Sequence, residues 1–211
     1  MNILTQISEN LQKGNDELVE ALTQEAIAKN LPPKDILDHG LIAGMNIISD
    51  QFKAHEIFLP DVLLAAKAMY AGMNVLKPLL IKDKIPSRGK VVMGTVQGDL
   101  HDIGKNLVSI MLQGAGYEII DLGNDVSPEQ FIEAAKTENA NIIGMSALLT
   151  TTMPVMKKVV ALLKEQASAG AIKTVVGGAP VNREFAQEIG ADAYGFDAAN
   201  AVEIVNKLSG H

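Results

Sequence analysis

The sequence predicts an α/β fold in two parts: an N-terminal helical bundle over residues 1–85 and a doubly wound, five-stranded parallel sheet over residues 90–211. Three observations predict it. Apolar residues recur at helical spacing through the first 80 or so positions, with few β-branched runs. A charged stretch with Pro and Gly, Ile81 to Lys90, then loses that period and reads as a linker. Beyond it, short apolar runs alternate with amphipathic segments, the pattern of parallel strands joined by right-handed helical crossovers.

A short opening helix is expected near Ile3 to Leu11, and Asp16-Glu17-Leu18 opens a second. Pro32-Pro33 separates the second from a longer helix through Ile36, Leu37, Leu41, Met45 and Ile48. Pro60 suits the first turn of a last helix with Leu63, Leu64, Ala68, Met69 and Leu76 among its apolar positions, giving a four- or five-helix bundle. Met69 and Met73 read as bundle core, and His55 as a solvated loop residue. The strands are expected at Val91 to Val96, Glu118 to Leu122, Asn141 to Ser146, Lys173 to Val176 and Ala191 to Tyr194.

With 211 residues, 47% of them hydrophobic, the chain is long enough to bury a real core. A formal charge of −7 and no basic run argue against nucleic acid or an anionic membrane as partner. The absence of cysteine excludes disulfides and thiolate metal sites, so any metal must be met by nitrogen or oxygen. Met1-Asn2-Ile3-Leu4 lacks a basic leader and no stretch approaches ~18 uninterrupted apolar residues, so a cytoplasmic location is expected.

The chemistry concentrates after the first strand, in Gly98-Asp99-Leu100-His101-Asp102-Ile103-Gly104. Asp99, two residues before His101, can hold one ring nitrogen while the other faces a metal, the arrangement in which a carboxylate sets tautomer and basicity. Ser146-Ala147-Leu148 follows after 41 intervening residues, and Gly177-Gly178 after 28 more. Each piece opens a loop at the carboxyl end of an expected strand, where open α/β sheets bind ligands. A phosphate-loop reading of Gly104-Lys105 fails because Asp99 stands where the first glycine belongs and Asn106 where Ser or Thr belongs. The His101-Asp102 dipeptide of metal phosphohydrolases would need several more histidines, and only His39, His55 and His211 remain.

Asp-x-His-x-x-Gly, Ser-x-Leu and Gly-Gly, in this order, resemble the signature of cobalamin-binding domains in which a protein histidine replaces the cofactor's own benzimidazole. Over nearly its whole length the chain resembles the corrinoid carrier proteins of methyltransferase systems acting on methanol, methylamines, methoxylated aromatics and quaternary amines, a module shared with cobalamin-dependent methionine synthase. Val92 to Asn106 and Glu56-Ile57-Phe58-Leu59-Pro60 carry the likeness. It implies a flavodoxin-like cobalamin-binding domain under a helical cap. It also implies a corrinoid bound base-off/His-on, with His101 as axial cobalt ligand and Asp99 as its hydrogen-bond partner. The whole run Gly98, Asp99, Leu100, His101, Asp102, Ile103 and Gly104 would then touch the cofactor. Ser146, Leu148 and Thr150 would line the pocket of the nucleotide tail, Gly177 and Gly178 would let the tail pass close to the backbone, and Tyr194, Gly195 and Phe196 would lie near its base. Phe58 would face the cofactor from the cap. In the methionine synthase branch a serine completes a relay with the aspartate, and here that position is Thr152, with an extra methyl and a stiffer rotamer.

The resemblance implies a methyl carrier that is not catalytic alone. Its partners would be a substrate:corrinoid methyltransferase, a methylcorrinoid:acceptor methyltransferase and a reductive activation protein. A cobalamin-dependent sensor would carry a DNA-binding segment ahead of the bundle, and here helical pattern starts almost at residue 1. The cobalamin-binding subunit of a mutase would lack the cap-like run Glu56 to Pro60.

Overall fold

The computed structural model describes residues 2–83, 87–166 and 172–210. It divides into two compact units, Met1–Ser87 with Gly114–Gly116, and Arg88–Gln113 with Tyr117–His211.

The first unit is helical: α1 (Ile3–Gln12), α2 (Asp16–Ala28), a single turn α3 (Pro33–Asp35) running through a π-helical stretch (Ile36–Ile42) into α4 (Ala43–Lys53), and α5 (Leu59–Lys82). Local chemistry marks the ends. Asn2 caps α1 by accepting from the Leu4 amide at 3.2 Å. Pro33 opens α3, where a missing amide costs nothing. At the start of α5 the Asp61 carboxylate reaches back to the Phe58 amide at 2.9 Å. Ile7, Leu11, Val19, Ile36, Leu41, Ile48, Met69 and Leu76 are buried between the helices. Leu63 and Leu64, apolar positions of α5, stay exposed instead, because Val62, Ala65, Ala66 and Ala68 form the buried stripe.

The expected linker Ile81 to Lys90 is shorter than its composition suggests. Ile81 and Lys82 complete α5, which continues through Pro78, and Lys90 already pairs in the sheet. Residues 84–86 of that stretch lie outside the described residues.

The second unit is the parallel sheet. Its strands are β1 (Lys90–Thr95), β2 (Glu118–Asp121), β3 (Ile142–Ser146), β4 (Lys173–Gly177) and β5 (Ala193–Gly195). Between them run α6 (Ile103–Gly114), α7 (Pro128–Thr137), α8 (Met153–Glu165) and α9 (Arg183–Ile189), and α10 (Ala198–Ser209) closes the chain. The strand order is β2-β1-β3-β4-β5. The order reverses at β1, so the crevice for a ligand lies beyond the carboxyl ends of β1 and β3. Right-handed crossovers put α7, α8 and α9 on one face and α6 on the other. On the first face Val92, Ile143 and Val176 pack with Phe131, Met156, Val159, Leu163 and Ile189. Alternate residues Val91, Met93, Ile142 and Val175 are buried on the opposite face, as the strand pleat requires.

Register has a functional consequence. Thr95 pairs with Ser146, Ser146 with Gly177 and Gly177 with Gly195, so four strands end in one row. No helix among the described residues is long and apolar enough to cross a membrane.

Phe131 is fully buried, and its ring fills the space that a Cβ on Gly94 would invade at 2.7 Å. Phe131→Ala should lower unfolding stability by about 3–5 kcal/mol, read from the urea midpoint at constant m-value.

Candidate functional site

Beyond β1 the chain turns through Val96 to Asp102 before α6 begins, and this loop carries both Asp99 and His101. The Asp99 side chain is fully buried. Its Oδ1 accepts from the His101 amide at 3.1 Å and meets His101 Nδ1 at 2.7 Å. Its Oδ2 accepts from the amides of Leu148 at 2.7 Å and Leu149 at 3.1 Å, and from Thr152 Oγ1 at 3.0 Å. Burial alone would raise the Asp99 pKa. The donors from Leu148, His101 and Thr152 outweigh it and hold the carboxyl well below the usual carboxylate range.

An ionised carboxylate can only accept, so Nδ1 of His101 carries the proton and Nε2 of the neutral ring carries the lone pair. Nε2 has no hydrogen-bond partner among the described residues, and the side chain is 54% exposed. The same two loops carry exposed aliphatic side chains: Leu100 and Ile103 on the histidine segment, Leu148 and Leu149 on the loop bound to Asp99. A ring with a fixed tautomer, an open nitrogen and an apolar surround can ligate a metal that arrives in a flat, apolar carrier.

The second loop, after β3, brings Thr152 to Asp99. Its hydroxyl reaches both Asp99 Oδ2 and the Leu149 carbonyl, at 3.0 and 2.9 Å, so its single proton has two acceptors. The extra methyl sits on the Gly98 side, where a Cβ on Gly98 would stand 3.4 Å from Cγ2. That is an ordinary contact, and glycine at 98 is required instead by its φ of +84°. Ser146 is half-buried at the end of β3, and Thr150 is exposed.

The third loop, after β4, comes within contact of the second. Ala147 donates its amide to the Gly177 carbonyl at 3.2 Å. At Gly178 φ is +127°, and a Cβ would fall 1.9 Å from the Ala147 carbonyl oxygen, so no other residue fits. The structure therefore brings Gly98, Asp99, His101, Leu148 and Thr152 into one bonded cluster, and the strand register adds Ser146, Gly177 and Gly195 beside it.

Other expected residues stand elsewhere or have no protein partner. Tyr194 packs against the sheet core and lines a cavity of about 420 Å³ with Arg183, Gln187 and Lys207, which none of the residues of the three loops joins. Phe196 is exposed after β5, and Phe58 belongs to the helical unit, 70% exposed at the start of α5. Asp102 accepts from the Asn106 amide as α6 begins. A Cβ on Gly104 would meet nothing within 4 Å, so protein packing does not itself demand glycine on the turn after His101.

Sequence reasoning missed Leu149, whose amide completes the Asp99 cluster, and the whole loop after β2. There Asp125 and Asn124 bond the backbone of the histidine loop, and the buried Lys105 ammonium holds both oxygens of Asp121 at 2.6 Å. The signal available was Gly123-Asn124-Asp125, turn residues directly after a strand.

Among the described residues no three His, Cys, Asp or Glu side chains gather as a metal site. A metal at His101 must bring its remaining ligands with it, as the cobalt of a corrin ring does. The open imidazole nitrogen of His101 and the exposed aliphatic side chains on the loops that carry and hold it fit that group.

The comparisons converge on the same chemistry. Residues 89–205 match a family described as B12 binding domain, and residues 3–77 match a second family of that description. A corrinoid protein of Desulfitobacterium hafniense is 41% identical over 100% of this chain and 99% of its own. A trimethylamine corrinoid protein of Methanosarcina acetivorans is 43% identical over 95% of this chain and 93% of its own. Among solved structures, the methanol:cobalamin methyltransferase complex MtaBC of Methanosarcina barkeri superposes with a TM-score of 0.86 at 32% identity, over 99% of this chain and 80% of that one.

The Asp99 cluster makes folding pH-dependent. A carboxyl whose folded pKa is depressed contributes stability that is fully present above its unfolded value, about 3.9, and is lost as pH falls below it. In cofactor-free protein Asp99→Asn should cost about 1.5–3 kcal/mol at pH 7. The gap between the two proteins should narrow below about pH 4 in urea titrations; a gap independent of pH would refute the assignment.

Proposed function

The chain belongs to the B12-binding corrinoid proteins of methyltransferase systems, and from that membership we propose that it is a methyl carrier. It takes a methyl group from a substrate-specific methyltransferase and presents it to a second methyltransferase, turning over nothing alone. The observation that carries this reading is His101, held on Asp99 through Nδ1 with Nε2 unpartnered and the ring half exposed among leucines.

When bound, the corrinoid supplies the nucleophilic cobalt on which a methyl group is taken up and returned. The protein's own residues supply the rest. His101 would hold the cobalt through Nε2, in place of the cofactor's own base. Asp99 keeps the proton on Nδ1 and raises the donor strength of Nε2. Thr152 reaches Asp99 from the buried side and donates a hydrogen bond to Oδ2, helping to keep the carboxylate ionised. Ser146 and Leu148, with Gly177 and Gly178 at the end of the neighbouring strand, would border the nucleotide tail. Leu100, Ile103, Leu148 and Leu149 shed water from beneath the ring.

In this reading the helical unit, residues 1–85, serves as a cap domain, and Phe58 is an exposed apolar residue of that unit. The relatives' names include trimethylamine, dimethylamine and methanol systems. The methyl donor here is therefore a small methylated compound of that kind, selected by the partner methyltransferase. A reductive activation protein would be a further partner, and the carrier works in the cytoplasm.

Purified protein should bind about one corrinoid per chain. Its cobalt(II) form should show imidazole nitrogen splitting in electron paramagnetic resonance, lost in His101→Ala. Retention of benzimidazole coordination by the unsubstituted protein would overturn the reading. With Asp99→Asn, corrinoid content should persist while the cobalt(II)/cobalt(I) midpoint moves, because the tail pocket stays intact and the ligand loses its charged partner.

A further inference from the structure

The histidine loop is gripped from a second side, by the segment joining β2 to α7. Gly98 donates its amide to Asp125 Oδ1 at 2.8 Å, and the Asp125 amide donates to the Asp99 carbonyl at 3.1 Å. Asn124 Nδ2 donates to the Leu100 carbonyl at 3.3 Å. Thr95 Oγ1 donates to the His101 carbonyl at 2.9 Å, while the Thr95 amide donates to the Gly123 carbonyl. Four consecutive residues, Gly98 to His101, thus have a backbone group held from outside their own loop.

The grip is itself anchored. Asp121 accepts from the Gly123 amide at 2.9 Å and from the Lys105 ammonium in the first turn of α6. The segment 121–125 therefore fixes both the start of the histidine loop and the helix that follows it. Asp125 sits at φ +56°, a left-handed conformation that side chains other than Asn and Asp rarely adopt. Such a conformation persists only where its surroundings over-determine it, and here the two reciprocal bonds to Gly98 and Asp99 do so.

Asp99 and Asp125 divide the work. Asp99 lies two residues from His101, so its bond to Nδ1 sets the tautomer and its bonds to Leu148, Leu149 and Thr152 tie the loop toward β3. Asp125 ties the same loop toward β2, on the other side of β1 in the sheet. Only together do the two flanks fix where the ring stands.

Resting on the reading of His101 as axial ligand, we propose that Asp125 is a positioning residue for that ligand, through an Oδ1 acceptor and a left-handed backbone that together set the height of the Gly98 to His101 loop. Asp125→Asn keeps an oxygen acceptor and tolerance of the left-handed region, whereas Asp125→Ala loses both.

The test loads the unsubstituted protein and both variants with cobalamin, reduces the cobalt to cobalt(II), and compares imidazole nitrogen splitting at matched corrinoid content. Amide hydrogen exchange at Gly98 is measured in the cofactor-free proteins. Asp125→Ala should lower the nitrogen-split fraction roughly tenfold, the low end for partners that orient a metal ligand. It should also speed exchange at Gly98, and Asp125→Asn should restore both readings. Parental splitting in Asp125→Ala would overturn the proposal, and so would equal loss in both variants, which would mark a charge effect instead. If Asp125→Ala does not fold, Asn124→Ala decides: reduced splitting at full corrinoid content supports the grip, and parental splitting refutes it. Absence of imidazole splitting in the unsubstituted protein would fail the ligand assignment itself, a result distinct from the others.

Discussion

A carboxylate with no exposure to water organises this molecule's functional end. An isolated buried charge would cost more than a domain's net stability, so Asp99 must find donors, and it finds five. They come from two loops about 50 residues apart in sequence. The requirement to satisfy one side chain therefore welds the loop after β1 to the loop after β3. His101 is the exposed end of that arrangement, oriented by a group that water never reaches.

The parallel sheet makes such a weld possible. Strand register aligns Thr95, Ser146, Gly177 and Gly195, so loops that begin in the same row have short distances to cover. Reversal of strand order at β1 leaves a crevice with the β2 side on one flank and the β3 side on the other. Both flanks hold the histidine loop, one through Asp125 and the other through Asp99. Close contact between the loops after β3 and β4 then forces glycine at 178, where the Ala147 carbonyl occupies the place of a side chain.

Much of this was legible in the sequence for identifiable reasons. The sheet showed because each strand is a short apolar run, and the bundle because its buried residues keep helical spacing over long stretches. Asp99 and His101 showed because the chemistry of an oriented imidazole needs them two residues apart. What stayed hidden lacked periodicity or local chemistry. The end of α5 was misjudged since the charges from Lys82 onward, with Pro86 and Gly89, carry the composition of a linker, although the helix runs to Lys82. Leu149 acts through its amide, which has no residue signature. Gly123-Asn124-Asp125 looked like an ordinary turn, and only the three-dimensional placement against Gly98 distinguishes it. The cavity that Tyr194 lines beside α9 and α10 has no motif in the sequence.

The asymmetry of the Asp99 cluster bears on how a carrier can alternate between states. The His101 ring contributes one of five donors, and the other four are the amides of His101, Leu148 and Leu149 and the hydroxyl of Thr152. Departure of the ring leaves the buried charge still solvated by the protein, at the loss of one charge-assisted bond, about 1.5–3 kcal/mol. A carboxylate held by the ring alone would instead be stranded, and the loop would have to open with every ligand movement. Thr152 adds a second latitude, because its proton can serve either Asp99 or the Leu149 carbonyl without moving any backbone. The ring is thus the cheapest element of the cluster to move. On the proposed reading of His101 as a metal ligand, that is the property wanted of a group whose bond to the metal would have to form and break.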